Sequence, residues 1–252
     1  MEGSNRLLDI ISWLRTAERV TVGELAERTG CSEMTIRRDL DHLAEQGVLR
    51  RVRGGAVSLM LRGEAPPFAV REREAVDAKR RIAAKIDALV ADGESVVLDS
   101  GTTALHVARA LAGRRITVMA LDLHALNALS GAADVKLLVP GGQVLTRTSS
   151  FVGHLTEMSL RALRVDTVIL GVCGLSARHG LTAHDLAEVP VKQAAIAAAQ
   201  RKIAVCDASK FGMTGLGHVC PIGELDAVVT DSGAPPEELS RIEAAGVQVI
   251  LV

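Results

Sequence analysis

Tyrosine is absent from the 252 residues, and the other aromatics are Trp13, Phe68, Phe151 and Phe211. Single-stranded bases are held on rows of aromatic platforms, so that mode of nucleic-acid binding is excluded. Cysteine is sparse as well. Cys31, Cys173, Cys206 and Cys220 stand far apart, which writes neither a zinc ribbon nor a disulfide scaffold. His179, His184 and Asp185 fall in a glycine-containing loop with nothing to fix ligand geometry, so no metal and no cofactor is expected. An excess of charge is missing too: 29 basic side chains face 30 acidic ones, and any nucleic-acid footprint must be local. Long uncharged runs are lacking. The best apolar stretch, Ile116–Leu121, meets Asp122 at once, far short of the roughly 18 residues of a membrane span. The first residues, Met1 to Arg6, are not followed by the apolar core of a signal peptide. The expectation is a cytoplasmic protein without a membrane partner.

What is present is a core-forming composition, 48% hydrophobic with 23% charged residues. The length suits a small domain joined to a medium one. The first 56 residues hold nine arginines and no lysine. From Ala56 to Phe68 the pattern dissolves into Ser58, Gly63, Pro66 and Pro67, a linker composition. The expected division is residues 1–56, a linker over 57–74, and a second domain over 75–252. In the second domain a helical stretch at Ala75–Ala91 precedes strand candidates at Ser95–Asp99, Ile116–Leu121, Val135–Val139, Thr167–Leu170, Ile203–Asp207, Ala227–Thr230 and Val247–Leu251. Helical periods at Thr103–Leu111, His124–Leu129, His154–Leu163, Val189–Gln200 and Pro236–Ala245 alternate with them. Short buried strands alternating with helices predict an α/β domain with a mostly parallel sheet.

In the small domain Leu7, Ile10, Ile11 and Leu14 form one apolar helical face. Thr21-Val22-Gly23-Glu24 is a capping box opening a helix over Val22–Thr29. Gly30 ends that helix, and Ser32 is placed to cap the next one, Glu33–Gln46. Two short helices joined by such a turn make a helix-turn-helix. On the second helix Ile36, Leu40 and Leu43 face inward; at 100° per residue Met34, Arg38 and Asp41 point the opposite way, flanked by Thr35, Arg37 and His42. A helix of this size fits the major groove, with its amino-terminal half at the base edges. Val48 to Gly55 reads as a basic β-hairpin, a wing carrying Arg50, Arg51 and Arg53. Arg37-Arg38-Asp39 alone would be an ordinary solvated helix face. The capping box, turn, amphipathic helix and basic hairpin in this order point instead to DNA, through Ser32, Met34, Thr35, Arg37, Arg38, His42, Arg51 and Arg53.

Ser32-x-x-Thr35-Ile36-Arg37-Arg38-Asp39-Leu40-x-x-Leu43, followed by Gly47, Leu49, Arg51 and Gly54-Gly55-Ala56, resembles the signature of the DeoR family of bacterial transcription regulators. The resemblance implies a winged helix-turn-helix reading a double-stranded operator. Two-fold operators need paired recognition helices, so a homodimer or homotetramer is expected.

In the larger domain, strand Ser95–Asp99 runs into Asp99-Ser100-Gly101-Thr102-Thr103 and a helix. This strand-to-helix crossing is where a parallel sheet offers its ligand crevice. Glycine, two threonine hydroxyls and helix-start amides suit a phosphate monoester, although a threonine pair after glycine is also a plain helix cap. The family resemblance continues through Lys79, Ile82-Ala83, Pro140-Gly141-Gly142, Gly153, Asp166, Gly171, Gly180-Leu181-Thr182, Lys192 and Asp207-Ala208-Ser209-Lys210-Phe211 to Val229-Thr230-Asp231. It implies an effector domain similar to ribose-5-phosphate isomerase, binding a phosphorylated sugar or related metabolite. Asp99, Ser100, Gly101, Thr102, Thr103, Gly141, Gly142, Lys192 and Lys210 are the expected effector residues, with the two lysines facing the phosphate. Where the family has a Thr-Asn pair this chain has Ala120-Leu121, followed by Asp122, which would repel an anion if it faced the site.

Such isomerases carry an Asp-Gly-Ala-Asp-Glu segment that supplies acid/base carboxylates. Here the segment reads Leu170-Gly171-Val172-Cys173-Gly174, without the base that proton transfer between sugar carbons requires. The expectation is a sensor and not an enzyme. Three other readings stay open: a sugar-phosphate isomerase with an appended DNA module, a sugar kinase whose phosphate loop is Asp99 to Thr103, and a winged helix used for protein contacts.

Overall fold

The computed structural model describes residues 3–17, 19–45, 47–59 and 66–252. Two compact units divide between Glu74 and Ala75. Of the expected linker over 57–74, residues 60–65 lie outside the described residues, as do Met1, Glu2, Glu18 and Gln46.

The first unit runs α1 (Gly3–Ala17), β1 (Arg19–Thr21), α2 (Val22–Thr29), α3 (Glu33–Glu45), β2 (Leu49–Val52), β3 (Gly55–Ser58) and α4 (Phe68–Glu72). The capping box at α2 is formed: Glu24 N–H donates to Thr21 Oγ1, and Thr21 N–H donates to Glu24 Oε2 at 2.9 Å. Hydrogen bonds to its carboxylate, first from the Thr21 backbone, hold Glu24 below the usual carboxylate range. Gly30 ends α2 in the left-handed region at φ 65°, a conformation that costs glycine little. Leu7, Ile10, Ile11 and Leu14 of α1 pack with Leu25, Ile36, Leu40 and Leu43 in one core. Each such side chain, fully buried, contributes about 1.5–3 kcal/mol.

The wing is larger than the sequence indicated. The hairpin of β2 and β3 spans Leu49–Ser58, and β1 adds a third strand in the order β1-β3-β2. Val70 of α4, in the stretch read as linker, is buried in this unit's core.

The second unit runs α5 (Val76–Leu89), β4 (Ser95–Leu98), α6 (Thr102–Leu111), β5 (Thr117–Ala120), α7 (Leu123–Leu129), β6 (Lys136–Leu138), β7 (Gln143–Leu145), β8 (Ser150–Val152), α8 (His154–Arg161), β9 (Val165–Gly171), β10 (Gly174–Ser176), β11 (Gly180–Ala183), α9 (Val189–Ala198), β12 (Ala199–Val205), β13 (Gly217–Cys220), β14 (Ala227–Thr230), α10 (Pro236–Ala244) and β15 (Gln248–Leu251). Seven strands form one sheet in the order β15-β14-β12-β9-β4-β5-β6, and every pairing in it is parallel.

Strand side chains alternate between the two faces. Val96, Leu98, Val118, Ala120 and Ile169 join α5, α6 and α7 in one core. Val97, Met119, Val168 and Leu170 join α8, α9 and α10 in the other. Apolar residues at both parities therefore mark a sheet covered on both sides. Among the described residues no helix is long and apolar enough to cross a membrane.

Candidate functional site

Helix α3 presents the outward face its periodicity predicted. Ile36, Leu40 and Leu43 are fully buried, while Met34 is 64% exposed. Ser32 caps the helix, accepting from Thr35 N–H at 3.2 Å, and its hydroxyl lies 2.9 Å from that of Thr35. The charged residues sort by partner. Arg37 pairs with Glu33 one turn back at 2.8 Å. Arg51 of the wing reaches Asp41 at 2.9 Å and the Gly55 carbonyl at 3.4 Å, tying β2 to α3. Arg38 is exposed and makes no ion pair among the described residues. His42 on the same helix and Arg53 at the hairpin turn are also exposed.

Asp39, the third residue of the Arg-Arg-Asp run, has a different task. It takes both Nε and Nη2 of Arg6 from α1, at 2.5 and 3.2 Å, in a largely buried fork. Hydrogen bonding to Asp39 pushes the Arg6 guanidinium up from its ordinary pKa against the opposing effect of burial. The pair fixes α3 against α1. Nothing in the local sequence pattern announces it, because the partners are 33 residues apart.

At the carboxyl end of the parallel sheet, the turn from β4 to α6 carries Asp99 to Thr103. Ser100 and Gly101 are partly exposed, whereas Asp99, Thr102 and Thr103 are buried. Gly101 sits at φ 112°, a backbone state that favours glycine. Two buried carboxylates organise the turn. Asp99 accepts from Gly171 N–H at 2.9 Å and pairs with the Lys192 ammonium, which also donates to the Gly171 carbonyl at 3.1 Å. The ends of β4, β9 and α9 are thus joined by one ion pair. Gly171 is glycine because the chains approach closely: a Cβ there would lie 2.3 Å from the Ser100 carbonyl oxygen.

Asp122 takes Gly101 N–H at 2.8 Å on one oxygen and Ala125 N–H at 2.6 Å on the other, capping α7 while bridging two strand-to-helix turns. Burial pushes its carboxyl up to about 6; the two amides oppose that shift and neighbouring Asp99 adds to it.

This geometry changes the roles assigned to two residues. Lys192 is buried and committed to Asp99, and although burial disfavours its charge, Asp99 and then Glu188 hold its pKa above the ordinary lysine value. The half-buried cation at this end of the sheet is Lys210, in the short turn after β12. The Gly101 amide, a natural donor to an anion, already faces the Asp122 carboxylate. Leu121 lies in the core with Val97 and Met119, not in the crevice. Gly141 and Gly142 meet the first turn of α8, where Thr156 donates to the Gly141 carbonyl at 2.8 Å.

A buried contact that the sequence did not suggest joins Ser150 of β8 to Glu188, whose Oε1 accepts from the serine hydroxyl at 2.8 Å. Among the described residues no three His, Cys, Asp or Glu side chains are grouped to hold a metal ion.

Comparison with known proteins supplies an independent line. Residues 6–60 match the DeoR-like helix-turn-helix domain, and residues 74–232 match the DeoR C terminal sensor domain. A putative aga operon transcriptional repressor of Escherichia coli O157:H7 is 33% identical over 99% of this chain and 94% of its own. The glycerol-3-phosphate regulon repressor of Escherichia coli K12 is 32% identical over 94% of this chain and 93% of its own. Among solved structures, ribose 5-phosphate isomerase A of Methanocaldococcus jannaschii aligns over 54% of both chains with 17% identity and a TM-score of 0.41, too slight a likeness to carry an argument.

Proposed function

Because the chain belongs to the DeoR family of transcription regulators, we propose that it represses a carbohydrate operon by reading a double-stranded operator with its winged helix-turn-helix and releasing or tightening that grip when a phosphorylated sugar binds its α/β domain. The observation that carries the DNA half is the division of labour among the arginines. Arg6, Arg37 and Arg51 are matched to Asp39, Glu33 and Asp41, which leaves Arg38 on the outward ridge of α3 for a base edge or phosphate.

For the effector, Lys210 and the partly exposed Ser100–Gly101 turn are the groups best placed to meet a phosphate. Lys192 and Asp99 hold the turn in shape. The name of the glycerol-3-phosphate regulon repressor favours a phosphorylated ligand class. The chain is a regulator rather than an enzyme, as its full-length relatives are. It works in the cytosol, as a homodimer or homotetramer whose paired recognition helices match a two-fold operator. Control then requires that the effector bind two arrangements of the DNA-reading heads with different affinity.

Retention of sheared genomic DNA by the purified protein, sequenced with and without a pool of sugar phosphates, tests the reading. Discrete fragments beside carbohydrate genes, shifted by the pool, are expected. Uniform retention with little dependence on salt would refute it, because a module that contacts DNA phosphates must weaken as salt rises.

A further inference from the structure

The outward ridge of α3 contains one residue that a phosphate-binding surface does not explain. Met34 is 64% exposed, in the first turn of the helix, with Ser32, Glu33, Thr35, Arg37 and Arg38 around it in sequence. Single exposed apolar side chains are common on protein surfaces and need no reason of their own. This one is placed at the end of the helix that enters a groove, and on the line that Arg38 continues. At 100° per residue, positions 34 and 38 differ by about 40° around the helix axis and by about 6 Å along it. They form one ridge.

We propose that Met34 reads the C5-methyl group of a thymine in each operator half-site, while Arg38, one turn further along the ridge, reads a guanine edge about two base pairs away. The inference rests on the assignment of α3 as the recognition helix and adds the chemical feature that the helix selects. Phosphates and most base-edge atoms in the major groove are polar; the thymine methyl is the apolar group a duplex offers there. An exposed thioether facing only polar atoms would gain nothing from the contact. Against a methyl it buries apolar surface on both sides, and its unbranched, flexible chain adapts to the groove.

Arg38 supplies the complementary polar contact, since a guanidinium fork matches guanine O6 and N7. Its neighbours leave it available: the nearby carboxylates Glu33, Asp39 and Asp41 are taken by Arg37, Arg6 and Arg51. The spacing follows from comparing one helical turn, about 5.4 Å, with the roughly 3.4 Å rise per base pair.

The test uses the full chain and the most strongly retained genomic operator, synthesised with each thymine replaced in turn by deoxyuridine, which removes the methyl and nothing else. At one thymine per half-site the wild-type protein should lose about fourfold in affinity, the worth of one buried methyl. Met34→Ala should bind the thymine and uracil duplexes equally, Met34→Leu should keep the preference, and Met34→Gln should lose it. Replacing the guanine about two base pairs away by 7-deazaguanine should weaken the wild type and leave Arg38→Ala unaffected.

A flat uracil scan on an operator that is bound tightly and specifically would overturn the inference while leaving the regulator assignment intact. So would a Met34→Ala protein that still tells thymine from uracil. Absence of any specifically retained operator would overturn both. The side chain is exposed, so a folding defect in these variants is not expected, and unchanged circular dichroism verifies it.

Discussion

Replacing Lys192 by methionine keeps the length of the side chain and removes the charge from the buried pair with Asp99. Both partners' side chains are 3% exposed, so the orphaned carboxylate would have little solvent to turn to and, among the described residues, would be left with the Gly171 N–H as its donor. Breaking a buried ion pair in this way costs about 3–5 kcal/mol. For a domain of this size each kcal/mol moves the melting temperature by about 2–4 °C, so a fall on the order of 10 °C is expected in the sensor unit.

The DNA-binding unit should melt as before, and the two are separable by method. Trp13 is the only tryptophan and lies in the first unit. Its fluorescence reports that unit alone, while calorimetry records both. The double variant Lys192→Met with Asp99→Asn should recover most of the loss, because a neutral amide has no buried charge to compensate. A single variant within about 1 kcal/mol of the wild type, or a double variant less stable than the single one, would refute the claim that this pair organises the β4–α6 turn.

Three further outcomes follow. Arg38→Ala should weaken operator binding by about 5- to 150-fold, given about 1–3 kcal/mol for a base contact, with sugar-phosphate binding unchanged by titration calorimetry. Lys210→Ala should abolish the thermal shift produced by a sugar phosphate without altering operator affinity; a retained shift would remove Lys210 from the site. Asp122 titrates near 6 in the folded chain against an ordinary value of 3.8. Its contribution to stability is therefore full below about pH 4 and is lost as pH rises through 6, by up to about 3 kcal/mol. Asp122→Asn should remove this slope, read as the wild-type minus variant difference in urea unfolding between pH 4 and pH 7; identical slopes would contradict it.

Much of the architecture was legible because it rests on local chemistry. Thr21 and Glu24 form the capping box their spacing specifies, Gly30 ends α2, and α2 itself covers Val22–Thr29 as read. Apolar residues at both parities in Val96–Leu98 and Val168–Leu170 placed most strands of the parallel sheet within a residue or two, whereas β12 begins at Ala199, four residues before the expected Ile203 and inside the stretch read as helix to Gln200. Short elements without such a pattern were missed: β1 of three residues, the β7–β8 hairpin, and the β10-β11-β13 sheet with Gly174, Gly180 and Gly217. Their strand identity comes from tertiary pairing more than from local preference.

The site divides along the same line. The ridge of Met34 and Arg38 follows from helical periodicity, but the partners of Arg6, Lys192 and Asp122 do not. Those contacts span 33, 93 and 21 residues, and only the folded backbone brings them within reach. Lys192 therefore read as a ligand-facing cation when it is a buried tie, and Asp122, noted as a residue that would repel an anion if it faced the site, is the cap of α7 and the acceptor at Gly101.

The central claim is that one chain couples operator reading to effector binding. The affinity of the full chain for its most enriched operator, measured at one fixed salt concentration with and without each sugar phosphate of a panel, tests it most directly. Specific binding on the order of 10⁻⁸ M or tighter, changed by about 5- to 150-fold by one sugar phosphate, is the expected result. Specific binding that no member of the panel changes would contradict it.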